Sequence, residues 1–252
     1  MTASMRQTFT HTPYASGRLR ALLTMLLLAA GAINSVLSLI ASGALVGSLS
    51  DAGGLGAPDE FGETAAEMLY VGVALLQVVI FAATAFAFLM WLHRAYRNLP
   101  ALGADGLATT PGWAVAYFFI PFVNLFKPFQ VVREIWREST PGREAREVFG
   151  GDDDEAARPG APPLVGWWWA LWLIANVAGR ASHQVGDRLG TIEGMLLASW
   201  VSIASDALFV IAAALAIMIV KRIDEMQEAK FRGALAQRPP PPPESFETPR
   251  TA

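Results

Sequence analysis

The sequence predicts an all-α integral membrane protein: four transmembrane helices in two hairpins, with a cytoplasmic re-entrant or interfacial segment between them. Three observations predict it. Four stretches carry almost no charge: Ala21–Ser50, Met68–Leu92, Leu164–Gly179 and Met195–Val220. Crossing a bilayer takes about 20 apolar residues, so each is near the required length. Hydrophobic residues make up 53% of the 252-residue chain and charged residues 16%, where a soluble domain carries about 25% charge. Finally, the basic residues are segregated along the chain in the way that sets membrane orientation.

Residues 1–18 form a short N-terminal segment with Arg6 and Arg18, and Arg20 follows. The first span, about residues 21–48, resembles a signal sequence, with Ala41-Ser42-Gly43 as a possible cleavage site. Its apolar run is far longer than the core of a signal peptide, which is about 7–15 residues, so it is expected to stay. Gly31, Ser35, Ser38 and Ser42 recur at helical spacing, and Gly43 and Gly47 add a Gly-xxx-Gly pair. Small faces let helices approach closely. Packing within the chain's own bundle is favoured over dimerisation. Asn34, and Gln77 on the second span, are polar groups at mid-membrane depth, expected to bond to neighbouring helices.

Residues 51–67 join the first two spans and hold Asp51, Asp59, Glu60, Glu63 and Glu67, with no Lys or Arg. That loop is therefore expected outside. The second span, about 68–92, runs into His93, Arg94 and Arg97. The connection to the third span adds Lys127, Arg133, Arg137, Arg143, Arg146 and Arg158, and Lys221-Arg222 follow the fourth. Of 19 basic residues, all but Arg180 and Arg188 then fall on one side. By the positive-inside rule both ends are cytoplasmic. The arginine- and alanine-rich composition suggests a GC-rich bacterial genome, hence a bacterial inner membrane.

A fifth apolar run, Gly112–Phe126, is short and carries Pro121; Pro128 follows it. Runs of this length are more often re-entrant, interfacial or buried than spanning. Proline prevents a regular helix through it, and Asn124 is placed to bond freed backbone groups. Beyond it, Phe129, Val132 and Trp136 share a helical face while Arg133 and Arg137 stand off it. Residues 112–137 therefore read as a re-entrant or interfacial element. Its arginines are candidates for anionic lipid headgroups, or for pairing with Glu134 and Glu138. Residues 140–162 form a charged linker, with a helix start at Thr140-Pro141 and an acidic run Gly150–Glu155. That run lacks the pattern of a calcium loop.

The third and fourth spans, about 164–187 and 193–220, make the second hairpin, turning at Gly190-Thr191. Trp172, Asn176, Arg180, His183 and Asp187 share one face of the third, and Ser199, Ser202 and Asp206 one face of the fourth. Folding the hairpin predicts a polar seam of Asn176, Arg180, Ser202 and Asp206. An intramembrane carboxylate is expensive and therefore a candidate for function. The end of the second span, Phe88–Arg94, resembles Ile217–Arg222, so a duplicated hairpin is conceivable. The membrane domain covers 19–230. Residues 231–252 read as a disordered tail with Pro239–Pro243 in polyproline II form.

The central text is distinctive: Trp91-Leu92-His93-Arg94-Ala95-Tyr96-Arg97-Asn98, Pro111-Gly112-Trp113, Phe119-Ile120-Pro121-Phe122-Val123-Asn124-Leu125-Phe126-Lys127-Pro128, then Glu134-Ile135-Trp136. Together these resemble the bacterial membrane family catalogued as domain of unknown function 4328, over roughly residues 65–225. The resemblance implies a multi-pass membrane protein and supplies no reaction. The motif residues are Arg94, Arg97, Asn98, Trp113, Pro121, Asn124, Lys127, Pro128, Glu134 and Trp136.

Chemistry is sparse. There is no cysteine, which excludes thiol catalysis and cysteine metal sites. His11, His93 and His183 have no partner at zinc-ligand spacing. No Gly-x-Ser-x-Gly elbow or phosphate loop occurs, no basic soluble domain suggests nucleic acid, and no cofactor is expected. The leading expectation is a non-enzymatic membrane component interacting with lipid or a protein partner, including a second copy. The alternatives are a small transporter or channel using Asp206 and, further off, an intramembrane enzyme.

Overall fold

The computed structural model describes residues 13–51, 60–141, 162–189 and 192–236. Several expectations lie outside them: the tip of the acidic loop, the helix after Thr140-Pro141, the acidic run Gly150–Glu155, the Gly190-Thr191 turn and the Pro239–Pro243 tail. The side chains of His183 and Asp187 are likewise not described.

The described residues are helical, with no strand among them. Helix α1 runs Arg18–Asp51, α2 Glu60–Asn98, α3 Pro111–Ala116, α4 Lys127–Ser139, α5 Pro163–Leu189 and α6 Ile192–Ala236. Short 3-10 turns lie at Pro100–Leu102 and Val123–Leu125. The long helices overrun the expected spans because a helix satisfies its backbone internally and stops only at a breaker. For α2 that breaker is Leu99-Pro100. Gly103 then takes a left-handed φ of 82° and its N–H returns to Pro100 O at 3.1 Å. At 45 residues, α6 is about 67 Å long at 1.5 Å per residue, so it projects well beyond any bilayer.

Three helices are long and apolar enough to cross a membrane, within Arg18–Ile40, Leu75–Asn98 and Leu196–Ala236. By length and composition they suggest a membrane protein. Helix α5, the fourth expected span, is long enough at 27 residues but less apolar. Its first half is rich in tryptophan and its second carries Arg180, Asp187 and Arg188.

Packing departs from two independent hairpins. Helix α1 lies between α2 and α6, and α5 packs on the other side of α6. Gly31 explains the close fit: a Cβ there would lie 3.7 Å from Ile80 and 3.8 Å from Phe209, one on each neighbouring helix. The small face of α1 thus packs within the bundle at this position. Asn34 donates from Nδ2 to Gln77 Oε1, joining α1 to α2.

The fully buried core sits at the basic end, not at mid-bundle. Trp91, Leu92, Tyr96 and Leu99 of α2 pack with Val132 and Ile135 of α4, Val165 of α5, and Ile219, Val220 and Ile223 of α6. The long apolar helices instead expose side chains such as Leu26, Ile33, Val78, Val79 and Phe86. That distribution suits a membrane protein, since hydrocarbon would leave apolar side chains nothing to escape, whereas water would drive them together.

Candidate functional site

Two features stand out: a collar that binds the helix ends together, and a cleft between α2 and α5.

The collar is built on α2. Asn98 is 2% exposed. Its Nδ2 donates to Ala15 O at 2.9 Å and Gln227 Oε1 at 3.3 Å, and its Oδ1 accepts from Ala15 N at 3.4 Å. Gln227 Nε2 donates to Ala95 O and to Ser139 Oγ. One amide pair therefore joins the N-terminal strap, residues 13–17, to α2, α4 and α6. The strap continues this: Tyr14 stacks on Phe231 at 4.2 Å and donates to Glu228 Oε1 at 3.0 Å. Burial, reinforced by that carboxylate, holds the Tyr14 phenol above its ordinary range. Gly17 lets the strap pass Asp224, whose Oδ1 would lie 3.3 Å from an added Cβ.

A second knot holds the central segment. Tyr96 donates to Glu134 Oε2 at 2.8 Å and accepts from Thr109 N at 3.1 Å, while Glu134 Oε1 accepts from Ala108 N at 2.8 Å. Here α4 turns Val131, Val132, Ile135, Glu138 and Ser139 into protein. The expected apolar face of Phe129, Val132 and Trp136 is shifted: only Val132 of these is fully buried, and Phe129 and Trp136 pack at the core's edge. Arg137 pairs with Glu138 at 3.2 Å, whereas Glu134 is taken by Tyr96 and Ala108.

Residues 112–126 form no continuous helix. Thr110 caps α3, accepting from Trp113 N at 3.4 Å. After Pro121 the chain makes a tight turn, with Val123 N donating to Pro121 O at 2.8 Å. Phe122 sits at φ 63° there, a conformation rare and strained for a bulky residue. Phe119, Phe122 and Phe126 are all exposed. Trp169 Nε1 ties this turn down by donating to Leu125 O at 2.8 Å.

The cleft has a volume of about 320 Å³. Helices α2 and α5 approach each other through Phe88 and Trp168, rings 5.8 Å apart, and otherwise leave a gap floored by Gly31, Ala212, Ala213 and Ala216. Phe88, Phe118, Trp168, Trp169 and Trp172 close its basic end through ring contacts, Trp169 stacking on Trp172 at 4.8 Å. The walls are otherwise Leu27, Leu28, Ile80, Phe81 and Phe209, with Gln77, Thr84, Asn124, Asn176 and Arg180 as polar points. Asn124 Oδ1 is buried without a hydrogen-bond partner, so it does not satisfy backbone freed by Pro121 as its position suggests.

The expected seam of Asn176, Arg180, Ser202 and Asp206 is divided. Asn176, bonded from Nδ2 to Trp172 O, and Arg180 line the cleft. Asp206 turns to α1, where Ser35 and Ser38 face it; its Oδ2 and Ser35 Oγ are buried without a partner. The α5–α6 contact is made by neighbours instead: Ser182 donates to Ala198 O at 2.7 Å and Ser205 to Ala175 O at 2.8 Å. A Cβ on Gly179 would lie 3.1 Å from Ser205 Oγ. The physical reason is helical phase: the face that meets α5 holds Ser205, and Asp206 is one residue, about 100°, further round.

Of the central motif, the structure brings Asn98 to the collar and Glu134 to the Tyr96 knot, packs Trp136 at the core's edge, buries Pro128, and sets Asn124 on the cleft. Lys127 Nζ lies 5.8 Å over the Tyr117 ring. Trp113 is exposed. Arg94 runs beside the strap with a buried, unpartnered Nε, while Arg97 is exposed. Tyr96 holds the central segment through Glu134, and Gln227 ties the end of α4 to α2 and α6; sequence reasoning missed both. The signal for Tyr96 was its place between two arginines on the last turns of α2. Gln227 lies four residues after buried Ile223 on the same face.

No curated protein and no solved structure matches the chain. The family described as Domain of unknown function (DUF4328) matches residues 57–225. That match spans the second helix, the proline turn, the Tyr96–Glu134 knot and most of α6, and the chain belongs to this family.

Proposed function

We propose that this protein is a non-enzymatic membrane component that holds a lipid acyl chain, or a similarly slender apolar molecule, in the cleft between α2 and α5. The observation that supports it is the shape and lining of the cleft. A volume of about 320 Å³ is in the range of small-molecule sites. From Trp168 to Arg180 the cleft follows α5 for about 18 Å at 1.5 Å per residue, long and narrow as an extended chain is. Its floor of glycine and alanine leaves room for methylenes, and its few polar points are widely spaced. Between those polar points the walls are aliphatic and aromatic, a lining that favours hydrocarbon as the occupant.

We place the protein in a bacterial inner membrane with four spans, both ends cytoplasmic, and residues 112–137 as an interfacial element. The charge segregation supports this orientation, and the broken backbone at Pro121 with exposed phenylalanines supports the interfacial reading.

A second reading, a small transporter or channel using Asp206, draws on the unpartnered Oδ2 of that carboxylate. Asp206 does not line the cleft, so the two readings put function on different faces of α6.

The test is to extract the protein with its surrounding membrane in polymer nanodiscs and weigh it intact, alone and with its retained lipids. Ala85 lines the cleft, so Ala85→Phe fills it. A retained lipid or apolar molecule on the native protein, lost from Ala85→Phe, is the expected result. Equal retention by both proteins would refute the cleft as the site.

A further inference from the structure

A second pocket, of about 300 Å³, shares no lining residue with the cleft. Tyr117, Thr109, Gln130, Lys127, Arg133 and Arg137 line it. Three cations thus share one concavity. Their placement is unfavourable in an unliganded protein. Lys127 is the first residue of α4, at the positive end of the helix dipole. Arg133 and Arg137 are four apart on one helix, a repelling pair. The acidic residue in the lining is Glu134; its oxygens accept at 2.8 Å from Tyr96 and Ala108 N, and its charge offsets one of the three cations and leaves an excess of two. Arg137 has Glu138 at 3.2 Å through Nε, and its side chain is 42% exposed. Arg133 is exposed. The hydroxyls of Thr109 and Tyr117 lie 3.2 Å apart at the rim and Gln130 adds an amide, so neutral donors accompany the cations.

The pocket's position gives it a partner. Lys127 directly follows exposed Phe126, and the Tyr117 ring touches that of exposed Trp113 at 5.9 Å. Exposed aromatic rings of this kind seat at a membrane–water interface, at headgroup depth. We propose that Lys127, Arg133 and Arg137, with Thr109, Tyr117 and Gln130, form a binding site for a phosphate group. Arginine recognises phosphate by paired charge-assisted hydrogen bonds, with lysine as a point charge. The phosphate belongs either to an anionic phospholipid headgroup or to a free phosphate ion. This site is independent of the cleft: it lies on other residues, and Ala85→Phe leaves it untouched.

The experiment uses the full chain in a zwitterionic detergent free of anionic lipid. Dioctanoyl phosphatidylglycerol, dioctanoyl phosphatidylcholine and inorganic phosphate are titrated separately by calorimetry. The same titrations are made on Arg133→Gln/Arg137→Gln and on Lys127→Gln, with the melting temperature as the check on folding. Lys127 and Arg133 are exposed, so Lys127→Gln is expected to leave melting unchanged, whereas Arg137→Gln also removes the partner of buried Glu138 and is expected to lower it somewhat. Wild type should bind phosphatidylglycerol at least about tenfold more tightly than the Gln double variant, the loss expected for charge-assisted bonds. Lys127→Gln should weaken it in the same direction, and serves alone if the double variant does not fold. Binding of inorganic phosphate with the same dependence on the arginines identifies a free ion as sufficient. Binding of phosphatidylglycerol without inorganic phosphate identifies the lipid headgroup. Equal affinity of wild type and both variants for every probe overturns the site. So does indifference between phosphatidylglycerol and phosphatidylcholine together with no binding of inorganic phosphate.

Discussion

Asn98 illustrates how one amide can organise the end of a helical bundle. It is buried, and its polar atoms bond to the backbone of Ala15 and to the Gln227 side chain on α6. Removing it orphans Ala15 O and part of Gln227. An unsatisfied buried group costs about 1–3 kcal/mol. Asn98→Ala should therefore lower the melting temperature of the detergent-solubilised protein clearly, whereas Arg97→Ala, one residue away but exposed, should fall within about 0.5 kcal/mol of wild type. Equal effects would mean that the collar contributes nothing. Asp206 gives a second test at this scale. It faces Ser35 and Ser38, so Asp206→Ala and Ser38→Ala should couple in a double-mutant cycle. Asp206→Ala and Arg180→Ala should add to within about 0.5 kcal/mol, as independent sites do. Coupling to Arg180 alone would contradict the observed orientation. The sequence told that Asp206 was singular but not which neighbour it met. Spacing defines a face, but a phase error of one residue turns the side chain by about 100° and changes the partner.

At the scale of elements, α5 and α6 associate through small residues and serine-to-backbone bonds. Gly179 and Ser205 set their distance. Gly179→Leu should force the helices apart, break the Ser205–Ala175 bond, and destabilise the protein. Ala204→Leu, on an exposed position of α6, should be tolerated. Thermal melting of both variants in the same detergent checks this, and tolerance of Gly179→Leu would mean that the two helices are not in close contact there. The helices themselves were legible in the sequence, because long uncharged runs leave few alternatives in lipid. The break at Pro121 was legible too, since proline removes a donor and blocks the preceding turn. The arrangement was not. Whether α1 packs on α2 alone or also on α6 depends on complementary surfaces, and a small-residue face announces close packing without naming the partner. The docked face of α4 was missed in part because Glu138 and Ser139 are buried through hydrogen bonds and tertiary contacts, which hydrophobic patterning does not register.

For the whole molecule, the proposed orientation rests on the distribution of charge. Because the chain has no cysteine, single cysteines report topology without background. Ser50→Cys should react with an impermeant maleimide in intact cells, and Ala236→Cys only after lysis. The reverse pattern would invert the protein. The central claim concerns the cleft, and it is tested most directly by asking what fills it. Thr84 lines the cleft; a nitroxide attached to Thr84→Cys in lipid bilayers samples its contents. Collision with dissolved oxygen, which partitions into hydrocarbon, and exclusion of a water-soluble nickel chelate are the expected result. Ready collision with the nickel chelate would show an aqueous path, contradict a lipid-holding cleft, and favour transport.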